Sequence, residues 1–253
     1  MEAYFLSHNG LGDNITSIGA VRFLLKYYNK IYFLCKDNYL KNVELLFSNL
    51  NVNIISVDKN NENYDCEKII NSNYTNKNVD IFICGSHKNY LKSKITNKLF
   101  LEYKSDNKNY KIQYNFIENF YKDINLDLSI YYEYFYIPLT QKSIELYNII
   151  KNYNIIFTHT TSSNKSINID HLFDKYINDN NSIVICANKN IYNINHNKYL
   201  IAEKFVNLFV AYYINIIINS NEIYVIDSCF SCIILPLKET NKLNAKIVKI
   251  INR

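Results

Sequence analysis

Short, strand-length apolar runs alternate along this chain with longer segments of helical periodicity. That alternation restricts the fold more than any other feature of the sequence. Runs at 3–7, 30–35, 52–57 and 79–85 are dominated by Ile, Phe, Tyr, Leu, Val and Cys, the residues of strands covered on both faces. Between them, apolar residues recur three and four positions apart. The clearest case is 14–28, where Ile15, Ile18, Val21, Leu24 and Leu25 share one helical face. The spacing predicts further helices over 39–50 and 111–124. The Asn-rich stretch 58–78 reads as loop with one short helix, and 129–137 as an aromatic strand that stops at Pro138. After Pro138 the pattern restarts: helix 141–151, strand 154–159, helix 169–177, strand 182–187, a long apolar helix over 202–219, strand 222–226, helix 228–237 and strand 245–250. Strands alternating with helices predict an α/β fold with parallel sheets and right-handed crossovers. The restart predicts two Rossmann-like units, 1–138 and 139–253, facing a cleft.

Composition narrows the function. The 253 residues are 48% hydrophobic and 20% charged, long enough for two cores and too apolar for wholesale disorder. The 42 Asn, 39 Ile, 26 Lys and 24 Tyr, against two Arg, share A/T-rich codons. The skew therefore reflects a genome, that of a giant virus, a protist or an A/T-rich bacterium. The net charge of +5 is mild and the lysines are scattered. Arg, the preferred reader of phosphates and guanine edges, is nearly absent, so no nucleic-acid partner is expected. Cys35, Cys66, Cys84, Cys186, Cys229 and Cys232 do not have the density of a disulfide framework. The first residues lack the basic and apolar regions of a leader. The longest apolar stretch, 205–218, is interrupted by Asn207 and Asn215 and is too short to span a bilayer. The expected location is cytoplasmic, in the host cytoplasm if the source is viral.

In open α/β sheets, ligands bind at the carboxyl ends of strands. Three strand-to-helix loops there carry unusual residues. The first, Ser7-His8-Asn9-Gly10-Leu11-Gly12-Asp13-Asn14, holds two of the four glycines of the chain. Gly10 and Gly12 suit a turn with positive φ, and the helix that follows offers N–H groups to an anion. Asp13 or Asn14 would also serve as an N-cap. The second loop follows 154–159 and offers His159, the hydroxyls of Thr160, Thr161 and Ser162, and Lys165. Hydroxyls and a lysine suit phosphate oxygens; a polar loop with a capping Ser fits the same residues. The third is Asp227-Ser228-Cys229-Phe230-Ser231-Cys232. Its C-x-x-C opens a helix, where thiolates are favoured, yet it lacks the Pro and Trp usual beside a redox pair, and a capping Asp-Ser with two packed cysteines is the commoner arrangement.

Taken in order, the three loops resemble the motifs of the GT-B glycosyltransferases of the ADP-heptose lipopolysaccharide heptosyltransferase family. Gly10-Leu11-Gly12-Asp13 is similar to the family's N-terminal Gly-Asp motif, whose aspartate is its proposed catalytic base; the resemblance gives that role to Asp13. His159-Thr160-Thr161 with Lys165 is similar to its His-x-Thr-Thr…Lys loop, which holds the donor phosphates. Asp227-Ser228-x-x-Ser231 is similar to its Asp-Thr/Ser-Gly-x-x-His signature, which contacts the donor diphosphate and sugar. Cys229 stands where the family has Gly and Cys232 where it has His, and the Trp that follows the lysine is missing. The resemblance implies an inverting transferase moving a sugar from a nucleotide-sugar donor to a glycan, glycolipid or other hydroxyl acceptor. It implies no cofactor. The sequence has no strand-ending D-x-D pair to hold Mg²⁺, so the transferase is expected to work without metal. Two alternatives stay open: a nucleotide- or nucleotide-sugar-binding module without turnover, and a thiol oxidoreductase built on Cys229 and Cys232.

Overall fold

The computed structural model describes residues 1–97 and 115–252, which fall into two units, Met1–Ile137 and Pro138–Arg253. The first unit runs β1 (Glu2–Leu6), α1 (Leu11–Thr16), α2 (Ile18–Leu24), β2 (Lys30–Lys36), α3 (Leu40–Leu46), β3 (Val52–Val57), α4 (Glu62–Asn73), β4 (Val79–Ile83), α5 (Asn115–Lys122) and α6 (Ser129–Glu133). Its four strands are parallel, in the order β3-β2-β1-β4. Central β1 places Phe5 between Phe33 and Phe82, at ring distances of 5.5 and 6.5 Å. Tyr28 donates to buried Asp80 Oδ2 at 2.6 Å, which satisfies one oxygen of a carboxylate in the sheet.

Two expectations for this unit change. The helix expected over 14–28 begins at Leu11 and is interrupted at Ser17. The cause is Tyr121, whose hydroxyl donates to Thr16 O at 2.8 Å and accepts from Ala20 N–H at 3.1 Å. It is inserted into the rung that Thr16 and Ala20 would close in an unbroken helix. The aromatic run 129–137, expected as a strand, opens instead as α6, with Ile130, Tyr131 and Tyr132 buried. It lies against α2 at Gly19, where an added Cβ would stand 2.6 Å from Ile130 O and 2.9 Å from Tyr131 Cα. The one short helix expected within 58–78 is α4, twelve residues long. Of the helix expected over 111–124, residues 111–114 lie outside the described residues.

The second unit runs α7 (Gln141–Ile150), β5 (Asn154–His159), α8 (Asp174–Ile177), β6 (Ser182–Cys186), α9 (Tyr199–Glu203), α10 (Ile214–Asn219), β7 (Glu222–Ile226), α11 (Cys229–Glu239) and β8 (Ile247–Ile251). Its parallel sheet has the order β6-β5-β7-β8. The apolar stretch 202–219 is not one helix. Asn207, at φ +55, turns the chain so that its N–H donates to Ala187 O beyond β6. Tyr213 closes the break by donating to Phe205 O at 2.6 Å and accepting from Leu208 N–H at 3.1 Å. The helix expected over 169–177 is a 3₁₀ turn, Asp170–Leu172, followed by the single turn of α8.

Both sheets are therefore α/β, and each reverses its winding once. The reversal lies between β1 and β4 in the first unit and between β5 and β7 in the second. Binding loops in open parallel sheets gather at such points, and the three unusual loops lie there.

Candidate functional site

In the first unit, the loop after β1 departs from the sequence reading in two respects. The positive φ belongs to Asn9, at +60, while Gly10 is extended, at φ −73 and ψ 155. Gly12 is an ordinary residue in the first turn of α1, where its carbonyl accepts from the Thr16 hydroxyl. At position 10 an added Cβ would lie 2.5 Å from Asp13 Oδ2 and would displace that carboxylate. That oxygen accepts the Gly10 N–H at 3.1 Å. The Gly10 N–H is thus taken by the Asp13 carboxylate three residues on. The result fixes the direction of that carboxylate.

On the other side of the reversal, Gly85 follows β4 at φ +99, a conformation that favours glycine. His8 lies directly on it, since an added Cβ would stand 1.4 Å from His8 Cδ2. The His8 ring meets Phe116 edge-on at 5.5 Å. Asp123 accepts the Gly85 N–H at 2.8 Å and pairs with Lys92 at 2.6 Å. His8, Asn9, Gly85 and Asp123 are contributions that the sequence reading missed. Scarcity was the available signal for Gly85, one of four glycines in the chain.

In the second unit, the loops after β5 and β7 are joined by His159. Its Nδ1 is hydrogen-bonded to Ser228 Oγ at 3.1 Å and its Nε2 to Thr161 Oγ1 at 3.4 Å. The ring packs on Phe230 at 4.7 Å. Burial lowers the His159 pKa to about 4, so the imidazole is neutral at physiological pH. Ser228 caps α11 by accepting from Phe230 N–H. Ser231 completes the cap: its hydroxyl accepts from Ser228 N–H at 3.1 Å and lies 2.7 Å from Asp227 Oδ1, to which it donates.

The remaining predicted residues occupy distinct environments. Thr160 is buried, and Asn188, beyond β6, holds it twice. Asn188 Oδ1 accepts the Thr160 N–H at 2.9 Å and Nδ2 donates to Thr160 Oγ1 at 3.0 Å. Thr161 and Ser166 pair as a short antiparallel bridge. The turn between them is closed by Ser162, whose N–H and hydroxyl both donate to Lys165 O. Lys165 stands exposed on this hairpin turn. The structure brings together His159, Thr161, Asp227, Ser228 and Ser231, with Asn188 as the support that sequence reasoning did not find.

Lys189, also beyond β6, is engaged by Asp170 at 2.8 Å. Burial and the neighbouring Cys232 push the Cys229 thiol up to about 12, opposite to the depression that thiol redox chemistry requires. Among the described residues, no group of three or more His, Cys, Asp or Glu side chains is arranged to hold a metal ion. Among the same residues, no helix is long and apolar enough to cross a membrane.

No protein-family model matches the sequence, and no curated protein matches it either. Solved structures do. The chain is similar over its full length to a family 9 glycosyl transferase from Veillonella parvula, with 12% identity, a TM-score of 0.58 and 86% of that chain covered. It is also similar to the E. coli heptosyltransferase WaaC solved with ADP, with 10% identity, a TM-score of 0.51, and 99% of this chain and 91% of that one covered. The chain thus has the α/β fold of the GT-B heptosyltransferase-like structures, the fold that its three loops imply.

Proposed function

We propose that the protein is an inverting glycosyltransferase that works without a metal ion. In this reading the first unit takes a glycan or glycolipid acceptor and the second takes a nucleotide-sugar donor. The observation that carries it is the His159–Ser228 hydrogen bond, which ties the two loops at the reversal point of the second sheet. Those loops present Thr161 and the N-terminus of α11, groups suited to a diphosphate.

The chemistry follows from the groups present. As the acceptor oxygen attacks the anomeric carbon, its proton passes to the Asp13 carboxylate. The bond from that carbon to the diphosphate breaks and its electron pair leaves with the diphosphate. Lys165, the Thr161 and Ser228 hydroxyls and the N-terminal end of α11 take up the developing charge, while the Ser162 hydroxyl, given to Lys165 O, holds the turn that carries Lys165. Thr160 and Ser231, whose hydroxyls are committed to Asn188 and Asp227, brace the two loops. His159 is neutral and adds no charge, which leaves the cationic role to Lys165. Gly10 serves by admitting the Asp13 carboxylate to its own N–H.

One observation favours a second reading, a nucleotide-sugar-binding module without turnover. The contact Asp13 makes with Gly10 is a capping contact that Asn would also make. A thermal-shift panel of ADP-, UDP- and GDP-sugars separates the readings when followed by an assay for nucleoside diphosphate release. A selective donor stabilises in proportion to the logarithm of its concentration over Kd. Selective binding with release supports the transferase, and selective binding without release supports the module. No stabilisation by any of them would sink both.

A further inference from the structure

The turn that carries Asp13 is held by a run of buried polar contacts that the proposed chemistry does not use. Asn9, at φ +60 and fully buried, reverses the chain between β1 and α1. Glycine would adopt that conformation without strain, so the asparagine side chain needs its own explanation. It reaches across the unit: Nδ2 donates to Glu62 Oε1 at 3.3 Å and to Cys66 Sγ at 3.6 Å, both on α4. The second Glu62 oxygen is paired at 2.8 Å with Lys36, the last residue of β2. In the other direction, the Asn9 N–H donates to Ser7 Oγ at 3.1 Å, and the Ser7 hydroxyl donates to Asn14 Oδ1 at 3.0 Å. The contacts run without a gap from β2 through α4 and the turn into α1.

Ser7, Asn9 and Asn14 are all completely buried, and two of their atoms, Asn9 Oδ1 and Asn14 Nδ2, have no hydrogen-bond partner. Unsatisfied buried polar atoms are costly. A simple chain reversal does not require them, because an exposed Asn-Gly turn makes the same reversal in contact with water. What the buried arrangement adds is a fixed orientation of the peptide joining Asn9 to Gly10. That peptide supplies the N–H that holds Asp13 Oδ2. Any rotation at Asn9 therefore swings the carboxylate.

We propose that Asn9 and Glu62 are positioning residues for Asp13: the Asn9 amide, anchored on Glu62, sets the Gly10 N–H that aims the carboxylate. The functional meaning of this tether rests on Asp13 acting as the base. The tether itself is testable in the ligand-free protein.

The experiment measures amide hydrogen exchange at Gly10 and the titration of the Asp13 carboxyl carbon by NMR on the full chain. The variants are Asn9→Gly, Glu62→Ala and Glu62→Gln. Asn9→Gly accepts the φ of +60 without strain and removes the tether. Exchange at Gly10 is expected to rise on the order of tenfold in Asn9→Gly and Glu62→Ala. The Asp13 midpoint should move in both, and Glu62→Gln, whose single amide oxygen can serve Asn9 or Lys36 but not both, should fall between wild type and Glu62→Ala. An unchanged Gly10 exchange rate and Asp13 titration in Asn9→Gly would overturn the proposal. So would a rise spread evenly over the first unit, which would make the side chain a general stabiliser. Turnover retained by Asp13→Asn would instead remove the base assignment and leave the exchange result standing.

Discussion

His159 Nδ1 and Ser228 Oγ are 3.1 Å apart, joining the residue that ends β5 to the residue that caps α11. The bond crosses the point where the second sheet reverses its winding. It makes two loops, separated by nearly seventy residues of sequence, into one rigid edge. Because the imidazole is packed on Phe230 and removed from water, it makes this link as a neutral group.

That burial fixes a pH dependence. His159 has its pKa lowered from 6.5 to about 4 in the folded protein. The unfolded chain therefore binds a proton below about pH 6.5 that the folded chain resists until about pH 4. Stability from this group is complete above pH 6.5 and is lost as pH falls toward 4, by on the order of 3 kcal/mol. Urea melts at pH 7 and pH 4.5 should show this loss, and His159→Gln should flatten it. An equal loss in the variant would assign the effect to other groups.

Asp13→Asn separates catalysis from capping. Asn offers an oxygen to the Gly10 N–H, so the melting temperature should hardly change. It accepts no proton, so turnover should fall roughly 10²- to 10⁴-fold. Donor affinity should persist, because the proposed phosphate groups belong to the second unit. Turnover and donor affinity measured on one preparation decide it: near-normal turnover removes Asp13 from the mechanism, and a large loss of melting temperature makes it structural.

Gly85→Ala meets two obstacles, a positive φ of +99 and the His8 ring. The backbone strain costs about 1–2 kcal/mol and the collision about 1–3 kcal/mol more. In a His8→Ala background only the first should remain. Chemical denaturation of the two single variants and the double variant measures the coupling. Additive effects would mean that His8 does not rest on Gly85.

Replacing both Cys229 and Cys232 with Ser should leave turnover within a few fold, with a stability loss on the order of 1–2 kcal/mol. The Cys229 thiol, pushed up to about 12, should react with iodoacetamide at pH 8 far more slowly than a free cysteine. Rapid alkylation, or turnover that oxidant and reductant switch off and on, would restore the redox alternative.

The sequence by itself carried the strands and the loops. Runs such as 30–35 and 222–226 become β2 and β7 because β-branched and aromatic residues suit a sheet covered on both faces. The loops are legible because Gly10, Asp13, His159 and Ser228 stand out in type and place at the ends of those runs. Contacts between distant residues decided the rest. The aromatic run at 129–137 has strand propensity, but Gly19 offers a surface where a helix backbone can approach, and packing prevails over propensity. The break at Ser17 is set by Tyr121, more than one hundred residues away. Asn188 and Asn9 belong to the two edges through partners that no local pattern announces, and in a chain with 42 asparagines their type gives no signal. Local periodicity and turn chemistry depend on neighbours in sequence, so the chain displays them directly. A hydrogen bond inserted into a helix, or an amide anchored on a distant carboxylate, comes into being only when the sheet brings its partners together.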